Sequence, residues 1–109
     1  MPTPEPENQD LQPLAEIDRV IHEPARLAII GLLAAVDSAD FLFVQNQTGL
    51  TGGNLSSHMS RLEEAGYVEV NKEFVDRIPR TLLRATRKGR AALRQYKRNM
   101  QKVLRGLPG

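Results

Sequence analysis

The sequence contains no cysteine and no tryptophan. Without cysteine there are no disulfides, no thiolate metal sites and no cysteine nucleophile. A reducing compartment fits, and cytoplasmic localisation is the expectation. Histidine is nearly as scarce, with His22 and His58 on different segments. No cysteine or paired carboxylate completes a four-ligand set around either one, so no metal or other cofactor is expected. Ser56 and His58 lie two apart on one predicted helix, where side chains diverge, and no third group is placed to orient the histidine. Gly-rich phosphate loops and catalytic motifs are missing too, and no catalytic residue is assigned. No apolar run is long enough to span a bilayer, so no membrane partner is expected. Met1 to Asp10 is rich in Pro and acid and has neither the apolar run of a secretory signal nor the character of a transit peptide. The Asn-x-Ser/Thr triplets at Asn46 and Asn54 are then chance matches.

At 109 residues the chain suits one domain with one modest core. Its net charge of +2 hides an uneven distribution. Residues 1–55 carry two Lys/Arg (Arg19, Arg26) against eight Asp/Glu, a balance of −6. Residues 56–109 carry thirteen against five, a balance of +8. Such asymmetry points to a polyanion meeting one face, although a charge run is equally consistent with solvated helix faces.

Residues 1–13 are expected to form a disordered arm. Residues 14–107 are expected to form one domain. Leu14, Ile17, Val20 and Ile21 show the spacing of one helical face. Pro24 closes that helix and suits the first turn of the next. Pro24 to Val36 is almost wholly apolar and reads as the central core helix. After the polar break Asp37-Ser38-Ala39-Asp40, a short helix to Gln47 is predicted, with Phe41, Leu42 and Val44 inward. Gly49 suits the left-handed residue that ends a helix, and Thr51 can cap the next one. That helix, Gly52 to Ala65, buries Leu55, Met59 and Leu62. Two β-like runs follow, Tyr67 to Val75 and Thr81 to Thr86, joined by the basic loop Asp76-Arg77-Ile78-Pro79-Arg80. A last helix runs from about Arg87 to Leu104.

Two helices around a Gly-containing turn make a helix-turn-helix unit, whose second helix enters the major groove of DNA. Such a helix must bury one stripe and offer the opposite one to base edges. Gly52, Gly53, Asn54, Ser56 and Ser57 keep its start small and polar, so the backbone can approach a duplex closely. The helix start can also bind phosphate through free N–H groups. Asn54 has the bidentate geometry for adenine, and Arg61 that for guanine or phosphate. The DNA-binding set is Thr51, Asn54, Ser56, Ser57, His58 and Arg61 from this helix, with Lys72, Arg77 and Arg80 from the wing. The bland alternative for each is a solvated polar face. His22 reads as a helix-end residue and Gly89 as structural.

The run from Leu50 to Val68, LTGGNLSSHMSRLEEAGYV, resembles the recognition helix and first wing strand of MarR- and ArsR-like winged-helix regulators. In particular it is similar to a compact subgroup with the signature G-N-L-S-x-H-x-x-x-L-E-x-A-G-Y-V. Further matches are Lys72-x-Phe74, Pro79-x-Thr81 and Thr86-Arg87-Lys88-Gly89-Arg90. The resemblance spans about Ile17 to Leu104. It implies an α+β winged helix-turn-helix fold, mostly helical, with a two-stranded β-hairpin wing and a long C-terminal helix. It also implies a dimeric, sequence-specific regulator of transcription. The missing thiolates separate the chain from metal-sensing ArsR proteins. A protein-interaction module is the second reading, since winged helices can present the same faces to proteins.

Leu93, Tyr96, Met100, Val103 and Leu107 recur at spacings of three and four, a coiled-coil-like seam. With Leu14, Ile17 and Ile21 they form the expected homodimer interface; the alternative is that the stripe packs on its own domain. A two-fold dimer would read a pseudo-palindrome in double-stranded DNA. The sequence leaves a small-molecule effector open but does not support one; a ligand would have to use the groove between the first and last helices.

Overall fold

The computed structural model describes residues 12–109. Most of the expected arm, residues 1–11, lies outside the described residues, while Gln12 and Pro13 open a short helix. The elements are α1 (Gln12–Ala15), α2 (Pro24–Ala34), β1 (Ala39–Asp40), α3 (Phe41–Thr48), α4 (Gly52–Glu64), β2 (Val68–Val75), β3 (Ile78–Ala85) and α5 (Arg87–Gly106).

The helix expected over residues 14–21 stops at Ala15. The Asp18 carboxylate accepts the backbone N–H groups of Val20 (2.9 Å) and Ile21 (3.3 Å), which bends the chain into a turn. This is the usual competition of an Asp side chain with helical backbone bonding. Ile17 and Ile21 are buried all the same. Glu23 caps α2 by accepting from the Arg26 N–H at 2.8 Å, and Pro24 fills a position that needs no donor. Ile29, Ile30 and Leu33 of α2 form the centre of the core with Ile21, Val44, Leu55, Leu62 and Leu83. At the other end of α2, the Arg90 guanidinium donates to the carbonyls of Ala34 (2.7 Å) and Val36 (2.9 Å). A cation there satisfies orphan carbonyls at the negative end of the helix dipole.

Asp40 caps α3 through the Leu42 N–H. Only Val44 of α3 is fully buried, and Leu42, expected to face inward, is 65% exposed. Gly49 has φ 72° and donates to the Gln45 carbonyl, ending α3 in the left-handed conformation. Leu50 packs under the turn, and the Thr51 hydroxyl accepts the Asn54 N–H at 3.1 Å to start α4.

The expected two-stranded hairpin is present as β2 and β3, and the sheet gains a third strand in the order β1-β3-β2, all antiparallel. The addition is β1, which pairs Ala39 with Leu83 and Asp40 with Leu82. The basic loop predicted over residues 76–80 contracts to a two-residue turn, because Val75 already pairs with Ile78. Asp76 (φ 52°) and Arg77 (φ 66°) both take positive φ, as a type I′ turn demands. Pro79 faces Phe74 one pair further on, a non-hydrogen-bonded position where its missing N–H costs no ladder bond.

Helix α5 begins at the far end of this sheet. The Thr86 hydroxyl accepts the Gly89 N–H (2.9 Å) and donates to the Gly66 carbonyl (2.6 Å). A Cβ on Gly89 would lie 2.0 Å from the Tyr67 carbonyl oxygen, so only glycine permits this approach. Near the middle of α5, buried Asn99 accepts from Gln95 and donates to the Glu16 carbonyl, tying α5 to the segment after α1.

Candidate nucleic-acid interface

Leu55, Met59 and Leu62 bury one face of α4, so at 100° per residue the opposite face must look outward. Asn54, Ser57 and Arg61, spaced i, i+3 and i+7, share that outer stripe and are all exposed. Gly53 and Ser60 flank them, also exposed. Thr51 stands exposed at the helix start, its hydroxyl engaged in the cap. Ser60 is absent from the set drawn from sequence. Its Oγ donates to the Ser56 carbonyl at 3.0 Å, and helical spacing alone was enough to group it with Ser56 and Ser57.

Ser56 lies on the flank of α4 that faces the wing. With Met59, Ser60 and Glu63 it lines a groove of about 560 Å³ whose far wall is Val70, Lys72, Thr81 and Leu83, with Phe41 at one end. Strand alternation puts Lys72 on the same face as Val68 and Val70, toward α4. Arg80 is on the opposite face of the hairpin, directly across from Glu73. Arg77 occupies the turn itself. Lys72 and the α4 residues thus share one side of the wing, while Arg80 is turned away from them.

His58 does not join the outer stripe. It is half-buried, with Nδ1 3.2 Å from Arg26 Nη1 and 3.7 Å from Glu23 Oε2. Arg26 is held in turn by the Val20 carbonyl at 2.6 Å. Partial burial works to raise the Glu23 pKa. The Arg26 and Ala25 backbone N–H groups, with the charges of His58 and Arg26, outweigh it and hold the carboxyl below its ordinary value. The three side chains clamp the start of α2 to α4. His22 bonds the Tyr96 hydroxyl through Nδ1 at 2.9 Å. Among the described residues, no group of three His, Cys, Asp or Glu is placed to hold a metal ion.

The residues expected at a dimer interface divide into two groups. Ile17, Ile21, Tyr96 and Val103 are buried in this chain's own core, because the segment after α1 folds back along α5. Leu93 and Met100 are half-buried against that core. Leu14 and Leu107 are exposed, as is Leu104 at 60%. The regular stripe on α5 therefore packs inward along most of its length, leaving an apolar edge at its C-terminal end.

A short helix, a tight glycine turn, an amphipathic helix with a small polar outer face and a projecting hairpin together define a winged helix-turn-helix. Residues 25–104 match the family described as "Winged helix DNA-binding domain", and the chain belongs to it. A transcriptional regulator homologue from Pyrococcus horikoshii OT3 superposes with a TM-score of 0.83 at 33% identity, covering 90% of this chain and 99% of that one. An uncharacterised protein of Methanocaldococcus jannaschii is 32% identical over 78 residues, 72% of this chain and 85% of its own length. The PcaV regulator of Streptomyces coelicolor, solved with its natural ligand, shares the fold at a TM-score of 0.66 and 23% identity, over 88% of this chain and 70% of that one. The chain is thus a winged-helix DNA-binding protein of the transcriptional-regulator class. Among the described residues, no helix is long and apolar enough to cross a membrane.

Proposed function

We propose that the protein is a homodimeric transcriptional regulator that binds a pseudo-palindromic operator in double-stranded DNA. The observation that carries this reading is the stripe of Asn54, Ser57 and Arg61, exposed opposite the buried face of α4. Asn54 and Arg61 read base edges in the major groove, while Thr51, Ser57 and the free N–H groups at the start of α4 hold the backbone. Ser56 and Lys72 line the recess between α4 and the wing, and Arg77 reaches neighbouring phosphates. A duplex partner puts the working protein in the cytoplasm, with the chromosome.

The dimer uses exposed Leu104 on α5 and Leu107 just beyond its end, together with Leu14. Two recognition helices then lie about 34–36 Å apart, one turn of DNA. Selection from a random duplex pool, followed by footprinting, tests the reading. The expected result is a two-fold-symmetric site that Arg61→Ala binds about 1–3 kcal/mol more weakly. With about six to ten phosphate contacts per dimer, affinity falls steeply as salt rises. Recovery of no preferred duplex, or an affinity indifferent to salt, defeats the proposal. Sedimentation of Leu104→Glu, expected to be monomeric, tests the dimer separately.

A further inference from the structure

Contact with phosphates and base edges leaves the apolar surface of the wing unexplained. Phe74 is 78% exposed and Ile78 58%, with Val75 and Pro79 also exposed beside them. Phe74 stands across from Pro79, and Val75 across from Ile78, so both faces of the hairpin are apolar up to the turn. The core ends further back, at Val70 and Leu83. At roughly 3.3 Å per residue the tip stands about 16 Å beyond it. A hairpin that only carried a cation to phosphates would gain nothing from large apolar groups in water.

We propose that the wing tip is a wedge, in which Phe74, braced by Pro79, enters the minor groove and unstacks one base step, kinking the duplex. The inference rests on the duplex binding proposed above. Phe, Ile and Pro are side-chain types that separate base steps from the minor groove, bending DNA by about 20–90° toward the major groove. A duplex is favoured as the occupant by continuity and by charge. The inner face of the wing shares one groove with Ser56 and Ser60 of α4, so DNA lying along that helix runs on to the tip. Over residues 72–80 the three cations Lys72, Arg77 and Arg80 outnumber the two acids Glu73 and Asp76, with Lys72 on the face of Phe74 and Arg77 at the turn. The minor groove is about 6 Å wide, so side chains enter and the strands stay outside. Unstacking costs least at TA and CA/TG steps, so the wedge selects sequence at a position with no hydrogen-bond readout.

The test uses the full chain and a duplex of about 30 base pairs that it recovers from a random pool, labelled at its ends with a donor and an acceptor dye. Binding by the unaltered protein is expected to raise energy transfer, and the recovered duplexes to carry a TA or CA/TG step under the wing. Phe74→Ala should still bind but lose most of that rise, while Phe74→Leu should keep it. The side chain is largely solvated, and circular dichroism confirms that each variant is folded. Binding without a rise, or an equal rise with Phe74→Ala, overturns the wedge and leaves duplex recognition standing. Recovery of no duplex defeats both. Loss of self-association in Phe74→Ala, with the rise retained, would make the tip a contact between copies and overturn the wedge.

Discussion

From Val68 to Val70 the wing runs against the core, whereas from Asn71 to Arg80 every residue is exposed. The two halves of this one hairpin share a continuous register. In the inner half, Leu83 and Ala85 are buried, and the backbone of β3 is paired with β1 on one side and β2 on the other. In the outer half, large apolar groups meet water and two non-glycine residues take positive φ. The inner half follows the rules of stability and the outer half departs from them.

That contrast can be broken from the inside first. Gly89→Ala forces a methyl group into the Tyr67 carbonyl and should cost about 3 kcal/mol or more, seen as a large drop in Tm. A variant of near-normal stability would mean that α5 shifts freely, and that the inner region is less closed than its packing implies. Arg90→Ala removes both carbonyl contacts at the end of α2 and should cost about 2 kcal/mol in denaturant unfolding. Arg77→Gly acts on the outer half with the opposite sign. Glycine takes the left-handed conformation freely, so stability should rise by about 1 kcal/mol while duplex affinity falls. A variant that is more stable and binds equally well would remove Arg77 from the interface.

Stability also depends on pH. Partial burial, with the hydrogen bond to the Asp18 carboxylate and its charge, pushes Tyr67 up to about 12. The folded state therefore holds the phenol proton more tightly than the unfolded chain, whose value is near 10. This contribution is complete below pH 10 and disappears as pH rises toward 12. Unfolding curves across that range should show a fall in stability that Tyr67→Phe flattens. The same fall in the Phe variant would locate the alkaline transition elsewhere.

The parts legible in the sequence were those with a strong local signal. Leu55, Met59 and Leu62 recur at helical spacing, and Gly49 and Thr51 are the residues a tight turn and a cap require. Once those anchors are set, the outward stripe of α4 follows. Signals that depend on distant partners were misread. Leu14 to Ile21 has helical periodicity, but periodicity does not register that Asp18 will take the backbone N–H groups for itself. Ala39–Asp40 is too short to show any strand pattern, and its pairing with β3 depends on residues far along the chain. The wing turn lacks the glycine that signals a two-residue hairpin, so it read as a longer loop. On α5 the repeat of Leu93, Tyr96, Met100 and Val103 reveals an apolar stripe without revealing whose surface covers it. His58 sits at the margin of the buried face of α4, and its link to Glu23 and Arg26 spans more than thirty residues of sequence.

The contact between Gly89 and Tyr67 leaves no room for a side chain where α5 meets the segment after α4. If α4 reads DNA and α5 also joins two copies, as proposed, any twist at the junction between them would turn both α4 helices through the same angle. Such a joint would work like a rigid caliper arm, its spacing set by a glycine far from the bases.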